Sequence, residues 1–166
     1  SKTADQTPLT TDNVLDVFDK MMTDMDDARV PRAGRILYVT PKVRTLITNA
    51  KAIVKTIDVS KRSDALKRAI TSIDEVEIPD SVPTDMMKTA YDFTEGWEVD
   101  GEADQINMCL VHPQAVITPI NYEFAQLDPP SAGSEGKWDY FEESFEDVFL
   151  LPNKVDAIAF NITKHS

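Results

Sequence analysis

Apart from carboxylates, side chains able to do chemistry are scarce in this sequence. It holds one cysteine, Cys109, and two histidines, His112 and His165, against 29 aspartates and glutamates. Cys109 lies in the apolar run Ile106-Asn107-Met108-Cys109-Leu110-Val111, where a thiol packs as a small hydrophobe. A nucleophilic thiolate needs an electropositive, partly exposed setting instead. A lone cysteine permits no disulfide within the chain, so nothing in the cysteine count points to an oxidising compartment. His112 precedes Pro113 and reads as a strand-end residue rather than a general base, and His165 is expected to be disordered near the carboxyl terminus. Neither histidine fits a zinc-ligand spacing, and one cysteine cannot complete a Cys/His site. The five glycines form no phosphate-cradling loop.

The carboxylates offer two clusters. Asp100-Gly101-Glu102-Ala103-Asp104 alternates acids as a calcium loop does, but the ligand order, the glycine position and the closing glutamate are wrong, so a solvated loop is expected. Glu142, Glu143, Glu146 and Asp147 surround Phe145. Used as an acid pair for glycoside chemistry they would need a sugar cleft, which nothing else in the sequence supplies. An exposed strand face or an electrostatic contact surface is expected. Opposite in sign, Lys51, Lys55, Lys61, Arg62, Lys67 and Arg68 fall within one short stretch. They either solubilise a loop or let a basic edge of one copy meet an acidic face of another, a complementarity that sets register more than affinity. No residue is assigned a catalytic, cofactor-binding or metal-binding role.

The overall balance narrows the partners further. With 17 Lys+Arg the formal charge is −12 at pH 7, and such a polyanion grips nucleic acid phosphates and anionic membranes poorly. The 166 residues suit one domain or a compact two-lobed unit, and 42% hydrophobic content supplies a core. Apolar stretches fall well short of the roughly 20 residues of a membrane span, and no signal-type segment opens the chain. The protein is therefore expected to be soluble and intracellular. Its start at Ser1-Lys2-Thr3 is read as processing, or as a piece cut from something longer.

These side chains must be positioned by elements that the sequence also outlines. Thr10 or Thr11 is expected to cap a helix whose Val14, Leu15, Phe18, Met21, Met22 and Met25 recur at spacings of three and four, with Asp16, Asp19, Lys20, Asp24 and Asp27 opposite. The methionines are expected in a core rather than in a promiscuous groove. Pro31 and Gly34 close that helix. Arg35–Thr40 reads as a strand, and Thr40-Pro41 announces a second helix burying Val43, Leu46, Ile47 and Ala50. Residues 51–67 are ambiguous between helix and loop. Ile70–Ile78 suggests one bent or two short strands, and 79–101 a surface loop with a helical turn at Asp85-Met86-Met87. A buried strand over 106–111, an extended segment over 116–124 and a turn over 128–136 follow. Phe141, Phe145 and Phe149 suit a helix or a strand equally. A closing strand over 155–162 completes an α+β domain.

The order of these pieces resembles the tailed-bacteriophage major capsid protein family, which has the Hong Kong 97 fold. The resemblance rests on Leu9-Thr10-Thr11-Asp12-Asn13-Val14-Leu15, Arg35 to Pro41, Ile73 to Ile78, Val82 to Met87, Ile106 to Val116 and Phe149 to Ile158, and it spans most of residues 9–162. It implies that residues 1–9 are a polar lead-in, that 10–34 and 121–166 belong to a peripheral domain with Val14, Phe18, Met21, Met22 and Met25 as the stripe of its spine helix, and that 35–120 belong to an axial domain. It implies a shell subunit without cofactor or active site, whose partners are other copies in pentamers and hexamers, with scaffold or portal proteins. Its location would be the virion capsid, after assembly in the host cytoplasm. Candidate subunit-contact charges are Lys61, Arg62, Lys67, Arg68, Glu142, Glu143, Glu146 and Asp147. The family's amino-terminal arm and extended loop normally precede the spine helix, and only about nine residues do here. The sequence is therefore expected to be the later part of a subunit, monomeric or weakly associating alone. Bacterial encapsulins share the fold. The rival readings are a small acidic enzyme or metal- or ligand-binding domain built on Asp100, Glu102, Asp104 or the Glu142–Asp147 cluster, and an adaptor of a phage particle.

Overall fold

The computed structural model describes residues 4–50 and 72–165. The chain divides into two compact units, one formed by residues 1–115 with 153–166 and the other by 116–152. Both helices and sheets are present, and the class is α+β.

In the first unit, helix α1 (Val14–Asp27) buries Val14, Val17, Phe18, Met21, Met22 and Met25. The three-and-four spacing aims these residues at one side, while Asp16, Asp19, Lys20, Asp24 and Asp27 remain exposed. The cap position is Asn13 rather than Thr10 or Thr11. Its side chain turns back on the lead-in, where Oδ1 accepts from the Thr10 amide at 2.7 Å and Nδ2 donates to the Pro8 carbonyl at 2.8 Å. The helix also stops earlier than Pro31. Arg29 adopts φ 60°, its amide donates to the Asp26 carbonyl at 2.9 Å, and the Val30 amide donates to the Met25 carbonyl at 3.0 Å. This pair of bonds is a Schellman ending, with an arginine in the left-handed position glycine usually holds.

Strand β1 (Ile36–Val39) leads into helix α2 (Pro41–Thr48), capped by Thr40, whose hydroxyl accepts from the Val43 amide at 3.5 Å. Val43, Ile47 and Ala50 are buried, and Leu46 packs against them half-buried. Strands β2 (Ser72–Ile73) and β3 (Val76–Glu77) form a hairpin whose two loop residues, Asp74 and Glu75, both have positive φ, as a type I′ turn requires. The 3-10 turn Thr84–Met86 falls where a helical turn was expected. The rest of 79–101 is not simply loop. Strands β4 (Tyr91–Asp92) and β5 (Glu98–Val99) pair there, with Tyr91 stacked on Trp97 at 5.6 Å.

Strand β6 (Gln105–Val111) lies between β11 (Ile158–Thr163) and β1 in a five-stranded sheet ordered β11-β6-β1-β3-β2, with β1 at its centre. The closing strand starts later than expected, because Pro152–Ala157 turns as 3-10 helix. Leu37 and Val39 of β1, Met108 and Leu110 of β6, Val76 of β3 and Ala159 of β11 join the buried stripes of α1 and α2 in one core. Alternation sends Ile36, Tyr38, Cys109, Val111, Ile158 and Phe160 to the opposite sheet face, where none is fully buried.

The second unit is a long hairpin. Strand β7 (Val116–Ile117) pairs with β10 (Phe149–Leu150), and β8 (Ile120–Asp128) pairs antiparallel with β9 (Asp139–Glu146). Residues 129–138 connect β8 to β9, with Gly136 at φ 75°.

Candidate functional site

The structure separates most of the residues singled out for chemistry. His112 is buried, its Nε2 lies 3.2 Å from the Ala33 carbonyl, and its Nδ1 accepts from the Gln114 amide at 3.3 Å. With Nδ1 accepting, Nε2 carries the proton and donates, so both ring nitrogens are committed to backbone and the imidazole fastens a loop. Cys109 is half-buried, and burial pushes its thiol up to about 12, far from the thiolate a nucleophile requires. His165 is not disordered. Its amide donates to Asp104 Oδ1 at 2.8 Å, and its Nδ1 lies 3.9 Å from Glu102 Oε2.

The loop acids are likewise engaged locally. Asp100 Oδ1 accepts from the Glu102 amide at 2.8 Å, while the Asp104 backbone pairs with Thr89. Among the described residues no group of three His, Cys, Asp or Glu side chains is placed to share a metal ion. Every buried side-chain nitrogen or oxygen described has a hydrogen-bond partner, so none is left aimed at a ligand. Two open surface clefts of about 440 and 240 Å³ are lined by Pro41, Arg44, Thr45, Thr48, Asn49 and Ser81, and by Asp92, Thr94, Glu95, Gly96 and Glu98. In the first, Arg44 already donates to the Pro79 carbonyl at 2.7 Å. No described helix is long and apolar enough to cross a membrane.

Sequence reading passed over one buried cation. Arg35 is 1% exposed, and its guanidinium donates to the carbonyls of Pro31 (3.0 Å), Val30 (2.6 Å) and Met22 (3.3 Å) and to Asp26 Oδ1 (2.7 Å). The last turn of α1 carries acids and no base of its own, so Arg35 supplies the positive charge that this end of a helix dipole favours. Hydrogen bonds from Arg32 and then Arg35 hold the Asp26 carboxyl below its usual range. This is scaffolding, with no free donor for a substrate.

What distinguishes the surface is the β8–β9 ribbon. Of 18 large apolar or aromatic side chains exposed among the described residues, 12 fall within 116–152. Register and alternation put Tyr122, Phe124, Phe141 and Phe145 on one face, with Tyr122 and Phe145 directly opposite and their rings 5.7 Å apart. The other face carries Ile120, Leu127 and Tyr140. Both faces are therefore exposed and carry large apolar side chains among their acids, and both strands are edges.

The acids Glu142, Glu143, Glu146 and Asp147 are all exposed. They do not share one strand face: Glu142 and Glu146 stand on one side and Glu143 on the other, because β9 alternates with period two. Tyr140 donates to Glu142 Oε2 at 3.0 Å, and that bond, followed by burial, pushes its hydroxyl above the usual range. Across 116–152 eight carboxylates face one lysine, Lys137, giving a formal −7 of the chain's −12. Lys61, Arg62, Lys67 and Arg68 lie outside the described residues, as does the ambiguous 51–67 stretch.

No protein-family model matches the chain, and no curated protein matches its sequence. The spine-helix stripe proposed from the sequence, Val14, Phe18, Met21, Met22 and Met25, lies in the core of the first unit. The acidic residues lie on the ribbon of the second, and the site that emerges is a surface rather than a pocket.

Proposed function

We propose that this chain is a structural subunit acting through self-association, and specifically a subunit of an icosahedral phage or prophage capsid with the Hong Kong 97 fold. The single observation that carries the first part is the ribbon, which exposes aromatic and aliphatic side chains on both faces. A two-stranded ribbon alone in water is marginally stable, and exposed apolar patches of this kind mark contact surfaces. The capsid assignment is supported by the order of segments from Leu9 to Ile162, in which an amphipathic helix, a strand, a Thr-Pro-capped helix and a later sheet follow as the family resemblance implies. On this reading α1 is the spine helix, residues 35–120 gather near capsomer centres, and the function needs no catalytic residue, cofactor or metal.

The test is assembly. Protein expressed from its full reading frame should form pentamers, hexamers or shells, seen by light scattering across concentration and salt and by electron microscopy. A frame that stays monomeric under every condition would defeat the proposal. Calorimetry with divalent cations tests the rival, since tight stoichiometric binding at Asp100, Glu102 and Asp104 favours a metal-binding domain.

A further inference from the structure

We infer that the free edge of β9 is a docking site for an extended basic segment of another protein, which adds there as a third strand. The self-association proposed above draws on the faces of the ribbon, and its edges are a separate surface. Three observations lead there.

The first lies in the backbone. Strands β8 and β9 pair with each other, and among the described residues no backbone hydrogen bond joins either of them to a third element. In an antiparallel pair every second residue turns its N–H and C=O away from the partner strand, so each outer edge presents a row of donors and acceptors. A third strand satisfies that row. It also strengthens a ribbon that is marginal with two strands.

The second selects the edge. Folds blunt their edges with proline, bulges, lysine or very short strands. Strand β8 follows Pro119, and its register shifts between Ile120 and Tyr122, whose partners Glu146 and Phe145 are consecutive on β9. Strand β9 runs unbroken from Asp139 to Glu146 with no proline, glycine, lysine or arginine. Its edge is therefore the regular one, and every residue from Tyr140 to Glu146 is exposed.

The third is charge, and it names the occupant. Asp139, Glu142, Glu143 and Glu146 put four carboxylates on β9, in a ribbon where eight face Lys137 alone. Like charges opposite each other across paired strands repel, which disfavours β9 of a second copy and favours a basic strand. Alternation sets the pattern that strand must carry. Tyr140, Glu142 and Glu146 share one face, and Phe141, Glu143 and Phe145 share the other. A complementary strand has bases opposite Glu142, Glu143 and Glu146 and apolar side chains opposite Phe141 and Phe145. Main-chain bonds hold such a segment, and its side chains decide which segment is held.

Peptide binding to the full chain tests this. The probe is a blocked, fluorescein-labelled peptide, lysine-valine-threonine-lysine-lysine-valine-tyrosine-lysine, which matches that pattern when it lies antiparallel to β9. Fluorescence anisotropy should show saturable binding that weakens as salt rises, and hydrogen exchange should show β9 amides gaining protection. Glu142→Lys, Glu143→Lys and Glu146→Lys combined, in a variant shown by circular dichroism to fold, should weaken binding by roughly tenfold or more and should admit the same peptide with glutamate in place of lysine. Two further peptides, N-methylated at the odd or at the even residues, keep every charge and side chain. Only the one whose blocked amides face β9 should lose binding. Equal binding by the two, whether kept or lost, overturns strand addition. No binding by the unmethylated peptide, binding unchanged in the triple variant, or protection on β8 and not on β9 overturns it as well. Protection of β9 that rises with protein concentration when no peptide is present gives the edge to a second copy and likewise defeats the inference.

Discussion

The carboxylate of Asp5 accepts a hydrogen bond from the side-chain amide of Asn161 at 3.0 Å, joining positions near opposite ends of the sequence. Asn161 is fully buried; its amide also donates to the Thr7 carbonyl at 3.0 Å, and its oxygen accepts from Asn107 at 2.9 Å. Backbone bonds reinforce the joint, from the Asp5 amide to the Phe160 carbonyl at 2.9 Å and from the Ile162 amide to the Asp5 carbonyl at 2.8 Å. Lys20 of α1 completes it with an ion pair to Asp5 at 2.9 Å. The lead-in is thus a bridge between β11 and the first helix.

Asp5 should make stability depend on pH in a defined window. Burial alone would raise its carboxyl, but hydrogen bonds from Lys20, Thr7 and Asn161 outweigh that and hold it at about 2, below the ordinary 3.8. A carboxylate depressed in the folded state stabilises above its unfolded value and loses that contribution as pH falls through the folded one. The wild type should therefore lose about 1–2 kcal/mol between pH 4 and pH 2 relative to Asp5→Asn, a figure reduced for the solvent around Lys20. Urea unfolding of both proteins across that range checks it. Parallel curves would show that Asp5 carries no depressed titration.

How much of this was legible depended on which signal each element uses. Helix α1 was readable because six buried positions recur on one face, and α2 because Thr40-Pro41 is a start signal at the sequence level. The β2–β3 hairpin was blurred because Asp74 and Glu75 take left-handed conformations without a glycine or asparagine to announce them. Phe141 and Phe145, four apart, satisfy helix and strand alike, and only pairing with β8 decides for a strand. Nothing in the strand run Arg35–Thr40 announces that Arg35 is buried, since burial of a cation depends on carbonyls brought to it by the ending of α1. Asp5 has no periodic context at all. For the candidate surface, the acids could be read from composition, whereas the exposure of both ribbon faces could not, because nothing in alternation says that neither side is covered.

The ending of α1 predicts a stabilising change. At Arg29 a side chain holds the left-handed conformation that costs roughly 1–2 kcal/mol for a residue with a Cβ. Arg29→Gly removes that cost but adds freedom to the unfolded chain, so a net gain of about 0.5–1 kcal/mol is expected. Arg29→Ala keeps the Cβ and should gain nothing. Thermal melts of the pair distinguish relief of backbone strain from loss of the arginine's charge, because only the former separates glycine from alanine.

Arg35 should be far less replaceable. Arg35→Met would fit the volume but strip donors from the carbonyls of Pro31, Val30 and Met22 at once. Removing a buried, paired cation typically costs about 3–5 kcal/mol, and the lower end is expected here because Arg32 still reaches Asp26. Arg35→Lys should recover little, since a single ammonium cannot reproduce the planar fork that spans those acceptors. Chemical denaturation reads both, and a methionine variant within about 0.5 kcal/mol of wild type would contradict the scaffolding role.

Cys109 offers a clock for opening of the sheet. It stands between Tyr38 and Phe160 on the paired strands, and burial pushes its thiol from an ordinary 9.0 to about 12. Near pH 8 the thiolate fraction in the folded protein should therefore fall by roughly 10³ relative to the unfolded chain, and only the thiolate attacks a disulfide reagent, forming the mixed disulfide and expelling the reagent's thiolate. Labelling by an aromatic disulfide should be slow in buffer, and it should accelerate as urea admits local or global opening. Concentrating the protein separates two sources of protection. If association covers this sheet face, the rate falls as concentration rises; a rate independent of concentration shows that Cys109 and its face stay open in the assembly.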